Sequence, residues 1–469
     1  MESITIHSSS IIIPNLPTPN LTLPLSVADQ FRAWVHITTV YVYKSPNAAV
    51  IVDSLKSSLS KILVPYYPFA GRLHVIVGGR LELHCCAAGA LFIEASYGGT
   101  LDDFGDFTPT DVVRKLAPEV DYNSSIEDVP MFLVQVTRFS CGGLVIGLNV
   151  SHTLVDGVSA IMFINSWASI ARGDKTAKSI LQPLHDRNVL QPQKPFCPPQ
   201  FYHCEYDILP FVIGCSNSKE ERMKETKSAL LKLTREQVEK LRMRANSSTP
   251  TNQNIEKVVD VNEVLLQPCP HSRYELITGH IWVCASKARN IDNDKSKQST
   301  VVQIVVNIRQ RLRTPIPKNF CGNAALISIT PQCEFGELMS QPLSYAAKKI
   351  REASWKMTDE YVKSAIDFLA TQEDICWTRT SSSSSSSIVR VKGTSLSNPN
   401  LSIVSWLSMP IYDADFGWGY PDYVGPSMLA YDGKMFIMPG PNNDGLIIVA
   451  IQLQMKHMEY FKKFFYEDL

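Results

Sequence analysis

The sequence lacks an excess of charge of either sign. Lysine and arginine together number 45, aspartate and glutamate together also number 45, and the formal net charge at neutral pH is zero. A chain without a net field does not attract nucleic acid or an anionic membrane surface over long distances. We therefore expect no nucleic acid and no membrane among its partners, and we expect its ligands to be small molecules.

Long apolar runs and regularly spaced cysteines are also missing. The opening residues, MESITIHSSSIIIPN, contain an apolar run of only three residues with no basic segment before it, far short of a signal peptide or a membrane span. The eleven cysteines show no C-x-x-C spacing, and the adjacent Cys85 and Cys86 cannot form an ordinary unstrained disulfide. These features predict a soluble protein of the reducing cytoplasm.

Several catalytic motifs are absent as well. The nucleophile motif G-x-S-x-G, the dinucleotide motif G-x-G-x-x-G and the phosphate loop G-x-x-x-x-G-K-[ST] do not occur. A catalytic zinc ion needs three protein ligands, and no histidine or cysteine lies at a recognisable spacing from His152. The sequence therefore predicts no metal and no bound cofactor, and it does not indicate serine-hydrolase or nucleotide-driven chemistry.

The chain is too long for one ordinary core. Its 469 residues favour two domains, and a stretch over 190–222, first proline-rich and then charged, predicts the linker between them. Apolar residues at helical spacing predict a helix over 47–63. The alternation in RLHVIVGGRLELHC predicts a β-hairpin that turns at Gly78 and Gly79.

The second half shows the same mixture of elements. LTREQVEKLRMRAN predicts a helix, and Ser272 and Glu275 have the spacing of a capping box in front of another helical pattern. TVVQIVVNI and GLIIVAIQL are typical of buried strands. Seven serines at 381–387 predict a flexible, low-complexity insertion. Alternating helices and strands in both halves indicate an α/β or α+β architecture.

The stretch SHTLVDGVS contains a histidine suited to general-base chemistry. His152 follows an apolar strand and precedes a helical pattern, Asp156 lies four residues later, and Gly157 permits a tight turn between strand and helix. The same spacing recurs at His203 and Asp207, but that copy lies in the linker, where no helix or strand is expected to hold it. We therefore regard His152 as the candidate and His203 as a coincidence, because rigid elements position catalytic groups.

A second unusual stretch, YDADFGWGYP, lies near the C-terminus. Its aspartate, glycines and aromatic residues are typical of a tight, closely packed turn. Together with SHTLVDG it resembles the BAHD acyltransferase family of plants. LVPYYPFAGRL, SRYELITGHIW, NIRQRL and CGN are similar to family blocks and occur in the family's order, so the resemblance extends over nearly the whole chain.

This resemblance implies a fold and a mechanism. The implied fold is two similarly sized chloramphenicol-acetyltransferase-like domains, residues 1–190 and 225–469, each a mixed sheet with helices, joined by a crossover linker over 191–224. By the same resemblance we expect a solvent channel between them, with acyl-CoA entering as a co-substrate from one face and the acceptor from the other. His152 matches the family's general base, which acts in a ternary complex without an acyl-enzyme.

The resemblance also assigns structural roles to the motifs. It implies that Asp156 turns away from the reaction and pairs with Arg309 of NIRQRL. It implies that Asp415, Gly417 and Gly419 of DFGWG support the fold at a distance from the chemistry.

Pocket positions follow from the resemblance with several departures. Trp406 matches a tryptophan on the oxyanion side, although the accompanying family threonine is Val404 here. Thr39 and Tyr41 match positions that line the acceptor pocket, and they can equally be buried strand residues. A further family threonine is Ile37. Cys321 and Tyr420 also differ from the commoner family residues.

The resemblance is closest to hydroxycinnamoyltransferases, in particular the type that acylates spermidine. Shikimate and quinate transferases carry an arginine where this chain has Ser408, which removes the anchor for an acceptor carboxylate. Aromatic acyl transfer to a polyamine is therefore the first hypothesis. Esterification of an alcohol, including an alkaloid alcohol, by a benzoyl or cinnamoyl group is the second. A non-catalytic relative that binds small molecules is the third.

Contacts with coenzyme A are assigned by resemblance alone. Lys232, Thr234 and Arg235 resemble a segment near the entrance for the pantetheine and phosphate groups, and they can equally be the solvated end of a helix. The same resemblance implies a monomer.

Overall fold

The structure is a computed structural model with a mixed α/β fold, which confirms the predicted fold class. It describes residues 3–30, 34–46, 48–174, 182–192, 198–206, 220, 223–247, 270–291, 294–372 and 398–469. The serine run, Asp207 and most of the predicted linker lie outside these ranges. None of the helices in the described ranges is long and apolar enough to cross a membrane.

The strands alternate with helices along the chain. In chain order the strands are β1 (Thr5–Ile12), β2 (Leu21–Pro24), β3 (His36–Tyr43), β4 (Arg72–Val75), β5 (Leu81–Cys85), β6 (Ala90–Tyr97), β7 (Phe132–Phe139), β8 (Leu144–Ser151), β9 (Thr226–Leu233), β10 (Ser299–Thr300), β11 (Val302–Asn307), β12 (Ala325–Ile329), β13 (Cys333–Glu334), β14 (Leu401–Ser405), β15 (Tyr423–Pro426), β16 (Lys434–Pro439) and β17 (Ile447–Gln454).

The helices differ widely in length. In chain order the α-helices are α1 (Val27–Gln30), α2 (Ala48–Ile62), α3 (Asp111–Arg114), α4 (Gly157–Arg172), α5 (Arg235–Ser247), α6 (Arg273–Arg289), α7 (Phe335–Ser340), α8 (Leu343–Trp355), α9 (Asp359–Ala370) and α10 (Met455–Glu467).

Two large mixed sheets organise the described residues. The first has the strand order β1-β6-β7-β8-β3-β15, and the second has the order β12-β11-β14-β16-β17-β9. In the first sheet β6 and β7 are parallel and the other neighbours are antiparallel. Strand β8 lies inside this sheet, and its eight residues are all buried, which explains why LVIGLNVS is nearly continuous in apolar residues.

The two halves of the chain are interlocked. Strand β15 comes from the second half, yet it completes the first sheet by pairing antiparallel with β3, Val424 opposite Tyr41. The apolar core of the first half likewise includes Trp406 and Phe416 from the second half. The predicted domain boundaries stay a prediction, but the contacts show that the first sheet is not built from one half alone.

Most of the local predictions are confirmed, with one correction in the hairpin. Helix α2 and helix α5 form where apolar periodicity predicted them, and Ser272 and Glu275 form the capping box of α6. Strands β4 and β5 pair antiparallel around the predicted glycine turn. However, β4 ends at Val75, and Val77, which we expected to continue the alternation, is 97% exposed at the tip.

The DFGWG segment forms a tight turn against the end of α4. Asp415 Oδ1 accepts hydrogen bonds from the backbone N–H groups of Gly417, at 2.8 Å, and Gly419, at 2.9 Å. Both glycines have positive φ, +106° and +103°. Arg172, the last residue of α4, donates to the Asp415 carbonyl at 3.0 Å and lies 3.4 Å from its carboxylate. The turn therefore fixes the C-terminal end of α4.

The backbone of this turn predicts a specific cost of substitution. Gly417→Ala should lower the free energy of unfolding by about 1–3 kcal/mol, because a φ of +106° is strained for any residue with a Cβ. Urea-induced unfolding measures this loss. Gly157→Ala is the matched control, since Gly157 has no positive φ and an added Cβ would make only ordinary contacts, the nearest at 3.4 Å. Equal losses in both variants would contradict the interpretation.

Candidate active site

His152 lies at the point where β8 ends and the loop to α4 begins. Its backbone N–H donates to the Val35 carbonyl at 2.8 Å, which ties the loop to the start of β3. Its ring Nδ1 lies 3.1 Å from the carbonyl oxygen of Val155. A carbonyl can only accept, so Nδ1 carries the proton and Nε2 is the basic nitrogen of the neutral ring. The partner of Nδ1 is thus a backbone carbonyl and not Asp156.

Asp156 joins the His152 loop to α4 and to the second half of the chain. Its carboxylate caps α4 by accepting from the Ser159 N–H at 3.0 Å, and it also accepts from the Ala324 N–H at 2.9 Å. Arg309 binds it with both terminal nitrogens, at 2.7 and 3.0 Å. The Arg309 guanidinium donates further to Ser159 Oγ at 2.9 Å. The structure therefore contains the Asp156–Arg309 pair that the resemblance implied.

The environment of Asp156 stabilises its ionised form. Complete burial disfavours the charge, but the charge of Arg309, together with the hydrogen bonds from Arg309, Ser159 and Ala324, outweighs burial and lowers the pKa of the carboxyl below its usual 3.8. Asp156 is therefore a carboxylate at neutral pH. Its carboxylate contacts the N-terminal end of α4 and residues of the second half of the chain, and it therefore links these two parts of the structure.

A second buried ion pair, which our sequence analysis missed, lies behind the same loop. Asp29 and Arg187 approach to 3.2 Å with side chains 0% and 1% exposed. Asn323 donates from Nδ2 to Asp29 at 2.8 Å. Asn323 belongs to the CGN block that we noted, whereas Asp29 and Arg187 carry no local signal. Asp29 belongs to α1 and Arg187 to a segment far along the chain, so only tertiary packing brings the two side chains together.

Three of the four predicted pocket residues line an apolar cavity beside this loop, and Ser408 does not. Thr39, Tyr41 and Trp406 line it, as do Val150 and Gly157, which flank the loop in the chain. Burial raises the pKa of the Tyr41 phenol, so its O–H stays protonated at neutral pH and can donate a hydrogen bond. The cavity holds about 20 Å³, room for a water molecule and not for an aromatic ring.

Gly157 has a different role from the one that we predicted. It is the first residue of α4, and its φ lies outside the positive range, so the turn does not require glycine. Instead, an added Cβ would lie 3.4 Å from the Met409 side chain and 3.9 Å from Trp406 Nε1. These are ordinary contact distances, so alanine would also fit at this position beside the loop after β14.

The positions that depart from the family lie in different environments. Ser408 and Tyr420 are exposed, while Ile37 lines the cavity. Val404 is half-buried on β14. Cys321 is buried, and burial raises the pKa of its thiol to about 12, which makes it a poor nucleophile.

The three residues assigned to coenzyme A lie on the edge of the second sheet. Lys232 belongs to β9, which is the edge strand, and Thr234 and Arg235 lead into α5. All three are exposed. Thr234 caps α5 through reciprocal hydrogen bonds with Gln237, at 2.8 and 3.2 Å. Their location leaves the assignment to coenzyme A a prediction.

His203 has a structural role, and our expectation that nothing holds it was wrong. Its ring is buried and contacts Ser364 Oγ of α9 at 2.9 Å and Glu205 at 3.2 Å. Ser364 also accepts from the backbone N–H groups of Gln200, at 3.0 Å, and Phe201, at 3.3 Å. These contacts fasten the segment around 200–206 to α9. A hydroxyl that accepts two hydrogen bonds is a poor nucleophile, so this cluster is an anchor.

Comparison with known proteins gives one consistent result. The model of the transferase family matches residues 2–468. The chain is 43% identical to the hydroxycinnamoyl-CoA:piscidic acid hydroxycinnamoyltransferase of Actaea racemosa over 471 residues, which is 99% of this chain and 100% of that protein. It is 38% identical to the shikimate O-hydroxycinnamoyltransferase of Nicotiana tabacum over 469 residues, 99% of each.

Solved structures share the fold at low sequence identity. Vinorine synthase matches with a TM-score of 0.69 and 21% identity, over 98% of this chain and 96% of that one. F. graminearum TRI101 in complex with coenzyme A and T-2 mycotoxin matches with a TM-score of 0.74 and 16% identity, over 94% and 97%. These similarities show the two-sheet fold.

The Asp156–Arg309 pair predicts a pH-dependent contribution to stability. Asp156→Asn should lower the free energy of unfolding at pH 7 by about 3–5 kcal/mol, because it leaves a buried guanidinium without its counter-charge. Since the folded pKa of Asp156 is depressed, its contribution is present above about pH 4 and is lost as the pH falls through the folded value. The difference between the two proteins should therefore shrink below about pH 4.

Urea unfolding of both proteins from pH 3 to pH 8 tests this expectation. Asp174→Asn is the control, because Asp174 also pairs with an arginine, Arg172, but at the surface. This variant should unfold like the parent protein. A stability difference for Asp156→Asn that does not change with pH would show that the carboxylate charge is not what matters.

Proposed function

The chain belongs to the BAHD acyltransferase family, and we therefore propose that it transfers a hydroxycinnamoyl group from coenzyme A to a small amine or alcohol, with His152 as general base. The observation that carries the proposal is the hydrogen bond from His152 Nδ1 to the Val155 carbonyl. It directs the basic Nε2 away from the loop backbone. The names of the two relatives above supply the acyl group, and the resemblance supplies the role of the histidine.

The chemistry that this histidine performs is a single proton relay. Nε2 of His152 takes the proton from the acceptor hydroxyl or amine as its oxygen or nitrogen attacks the thioester carbonyl. The tetrahedral intermediate then expels the coenzyme A thiolate, which receives the proton back from the imidazolium. The products are an ester or amide and free coenzyme A. Both substrates bind together, so no acyl-enzyme is required.

Trp406 is the proposed donor to the developing oxyanion. Its side chain is buried, and its Nε1 lies near the first residue of α4, the helix that follows the His152 loop. A fixed N–H donor in a buried site stabilises an oxyanion without reorganisation. The neighbouring family threonine is Val404 here, so no hydroxyl comes from that position. Thr39 and Tyr41 are proposed to contact the substrate from the cavity wall, which must widen to admit an aromatic ring.

A polyamine such as spermidine is our first candidate acceptor. The relatives named above act on piscidic acid and shikimate, both of which carry a carboxylate. In this chain Ser408 occupies the position that the resemblance assigns to an arginine contacting such a carboxylate. Without that cation, an acidic acceptor loses an ion pair and an amine is no longer repelled.

An alcohol is the second candidate acceptor, and the cavity favours it. The described residues that line the cavity are all uncharged, including Ile37, Ile161 and Ile164. A protonated amine would lose its hydration there without gaining a counter-charge, whereas a neutral alcohol would not. Formation of an ester of an alcohol, including an alkaloid alcohol, is therefore the alternative reaction.

The remaining expectations follow the same proposal. Acyl-CoA acts as a co-substrate, with Lys232, Thr234 and Arg235 as its proposed contacts. The absence of a metal and of a bound cofactor, the monomeric state and the cytoplasmic location stay predictions.

Replacement of the proposed base should reduce turnover and leave the fold intact. His152→Ala should lower kcat by about 10²–10⁴-fold, which corresponds to about 3–5 kcal/mol of barrier, because general-base assistance is lost. Steady-state assays with a hydroxycinnamoyl-CoA and the acceptor that the parent protein uses measure this. His203→Gln is the matched control, and at temperatures where it stays folded its kcat should equal that of the parent. Unchanged turnover in His152→Ala would refute the general-base role, whereas no turnover by the parent protein would support the non-catalytic alternative.

The acceptor can be assigned by product analysis. Hydroxycinnamoyl-CoA is incubated with spermidine, with neutral alcohols and with shikimate, and amide and ester products are separated by mass spectrometry. We expect the amide of spermidine to dominate. Ester without amide would overturn the polyamine assignment in favour of the alcohol.

Ser408→Arg tests the reason for this preference. The substitution should change the ratio of kcat/KM for shikimate to that for spermidine by at least about tenfold in favour of shikimate, equivalent to about 1.4 kcal/mol. Ser408→Gln, which adds length without charge, should leave the ratio near that of the parent. An equal effect of both variants would show that charge at this position does not select the acceptor.

A further inference from the structure

Buried side chains hold three successive carbonyl groups of the His152 loop. Asn323 Nδ2 donates to the carbonyl oxygen of His152 at 2.9 Å and to that of Thr153 at 3.3 Å. Arg187 Nη2 donates to the carbonyl of Leu154 at 3.0 Å. The fourth carbonyl, that of Val155, accepts from the His152 ring. The conformation of the loop backbone therefore sets the orientation of the His152 imidazole.

Both donors converge on Asp29. Its Oδ1 accepts from Asn323 Nδ2 at 2.8 Å and from the Asn323 backbone N–H at 3.2 Å, and its Oδ2 lies 3.2 Å from Arg187 Nε. Ser26 adds hydrogen bonds from its backbone N–H, at 2.9 Å, and from its hydroxyl, at 2.7 Å. The Asp29 side chain is fully buried. An anion in such a place is retained only where neighbouring donors compensate it.

We propose that Asp29 is a positioning residue for catalysis: its charge orients Asn323 and Arg187, and these two side chains fix the loop that aims His152. The proposal rests on the proposed role of His152 as general base. Asp29 is not among the described residues that line the cavity, and its polar contacts include Asn323 and Arg187, so we infer that it acts through these two partners.

The orientation of the Asn323 side chain depends on the charge of Asp29. Asn323 Oδ1 is buried and has no hydrogen-bond partner among the described residues. The amide could satisfy Oδ1 by turning over only if Asp29 offered a donor, and a carboxylate offers none. The negative charge thus keeps Nδ2 on the side of Asp29 and of the loop carbonyls. In Asp29→Asn the new amide can donate to Oδ1, which lets Asn323 turn and release His152 and Thr153.

Arg187 depends on Asp29 for a different reason. Its guanidinium is 1% exposed and donates to the carbonyls of Leu154, His185 at 3.2 Å and Cys321. Carbonyl oxygens alone do not neutralise a buried cation, so the carboxylate of Asp29 supplies the compensating charge. Removing that charge weakens the hold on the Leu154 carbonyl.

A third buried ion pair, between Arg289 and Asp432, provides a matched control for stability. Arg289 Nη2 and Asp432 Oδ2 approach to 3.1 Å with side chains 1% and 4% exposed, and Arg289 also donates to the Pro399 carbonyl at 2.9 Å. Asp432 is near β16, and its carboxylate accepts hydrogen bonds from Arg289 and from the backbone N–H groups of Asn398 and Gln454, none of which belongs to the His152 loop. Asp432→Asn should therefore lower the melting temperature, as Asp29→Asn should, without changing catalysis by the folded protein.

The test compares catalysis and stability in the same variants. At a temperature at which all proteins are folded, Asp29→Asn should lower kcat by about 10–100-fold, because small displacements of a catalytic group have effects of this size. Its KM for hydroxycinnamoyl-CoA should stay within about twofold of the parent, since the substrate contacts are intact. Asp432→Asn should keep the parental kcat. Equal kcat values for parent and Asp29→Asn, or an equal loss in both variants, would overturn the proposal.

A double-mutant cycle separates this proposal from the proposed function. If Asp29 acts through His152, then Asp29→Asn should cause no further loss of kcat in a His152→Ala background. A full additional loss there would overturn the positioning role. A parental kcat in His152→Ala alone would instead refute the general-base proposal.

If Asp29→Asn does not fold, Asn323→Ala is the alternative test of the proposal. It removes the donor to His152 and Thr153 but keeps the Asp29–Arg187 pair, so it should fold and should show the same selective loss of kcat. A parental kcat in Asn323→Ala would overturn the proposal.

Discussion

The bidentate pair between Asp156 and Arg309 is the interaction on which the arrangement of the site depends. One carboxylate caps α4, holds the end of the His152 loop and accepts an arginine and a backbone N–H from the second half of the chain. Burial of this charged carboxylate would be unfavourable without the Arg309 guanidinium, because a desolvated charge needs a compensating charge. The aspartate that looks like the orienting member of a dyad with His152 is therefore a structural junction, and a backbone carbonyl performs the orienting.

Helix α4 is held at both ends by the two sequence motifs on which the resemblance was based. At its N-terminus Asp156 binds Arg309, and at its C-terminus Arg172 binds the DFGWG turn through Asp415. The helix spans 16 residues, about 24 Å at 1.5 Å per residue. The motifs are distant in sequence and act on opposite ends of one rigid element. The DFGWG turn therefore contacts the far end of the helix that follows the His152 loop.

The sequence predicted features that arise from local patterns and missed those that arise from packing. Periodicity located α2, α5 and the hairpin, and capping chemistry located the start of α6, because these signals lie within a few residues. The spacing of His152 and Asp156 could not distinguish them from His203 and Asp207; strand context and resemblance did so. The pairing with Arg309 came from resemblance alone. Asp29 and Arg187 could not be found, since a buried ion pair between distant segments leaves no pattern in either segment, and the burial of His203 was hidden for the same reason.

Strand β15 makes the first half of this protein depend on the second, because it completes the first sheet. Until residues 423–426 are available, β3 presents an open row of N–H and C=O groups on one side, and an exposed strand edge is a template for pairing with other chains. The first half made alone would therefore be prone to self-association, and cutting the gene in the crossover segment does not yield two self-sufficient pieces. Exchange of halves between relatives accordingly has to preserve the complementarity of β3 and β15, because the strand that carries Thr39 and Tyr41 of the cavity wall pairs with a strand more than 380 residues away.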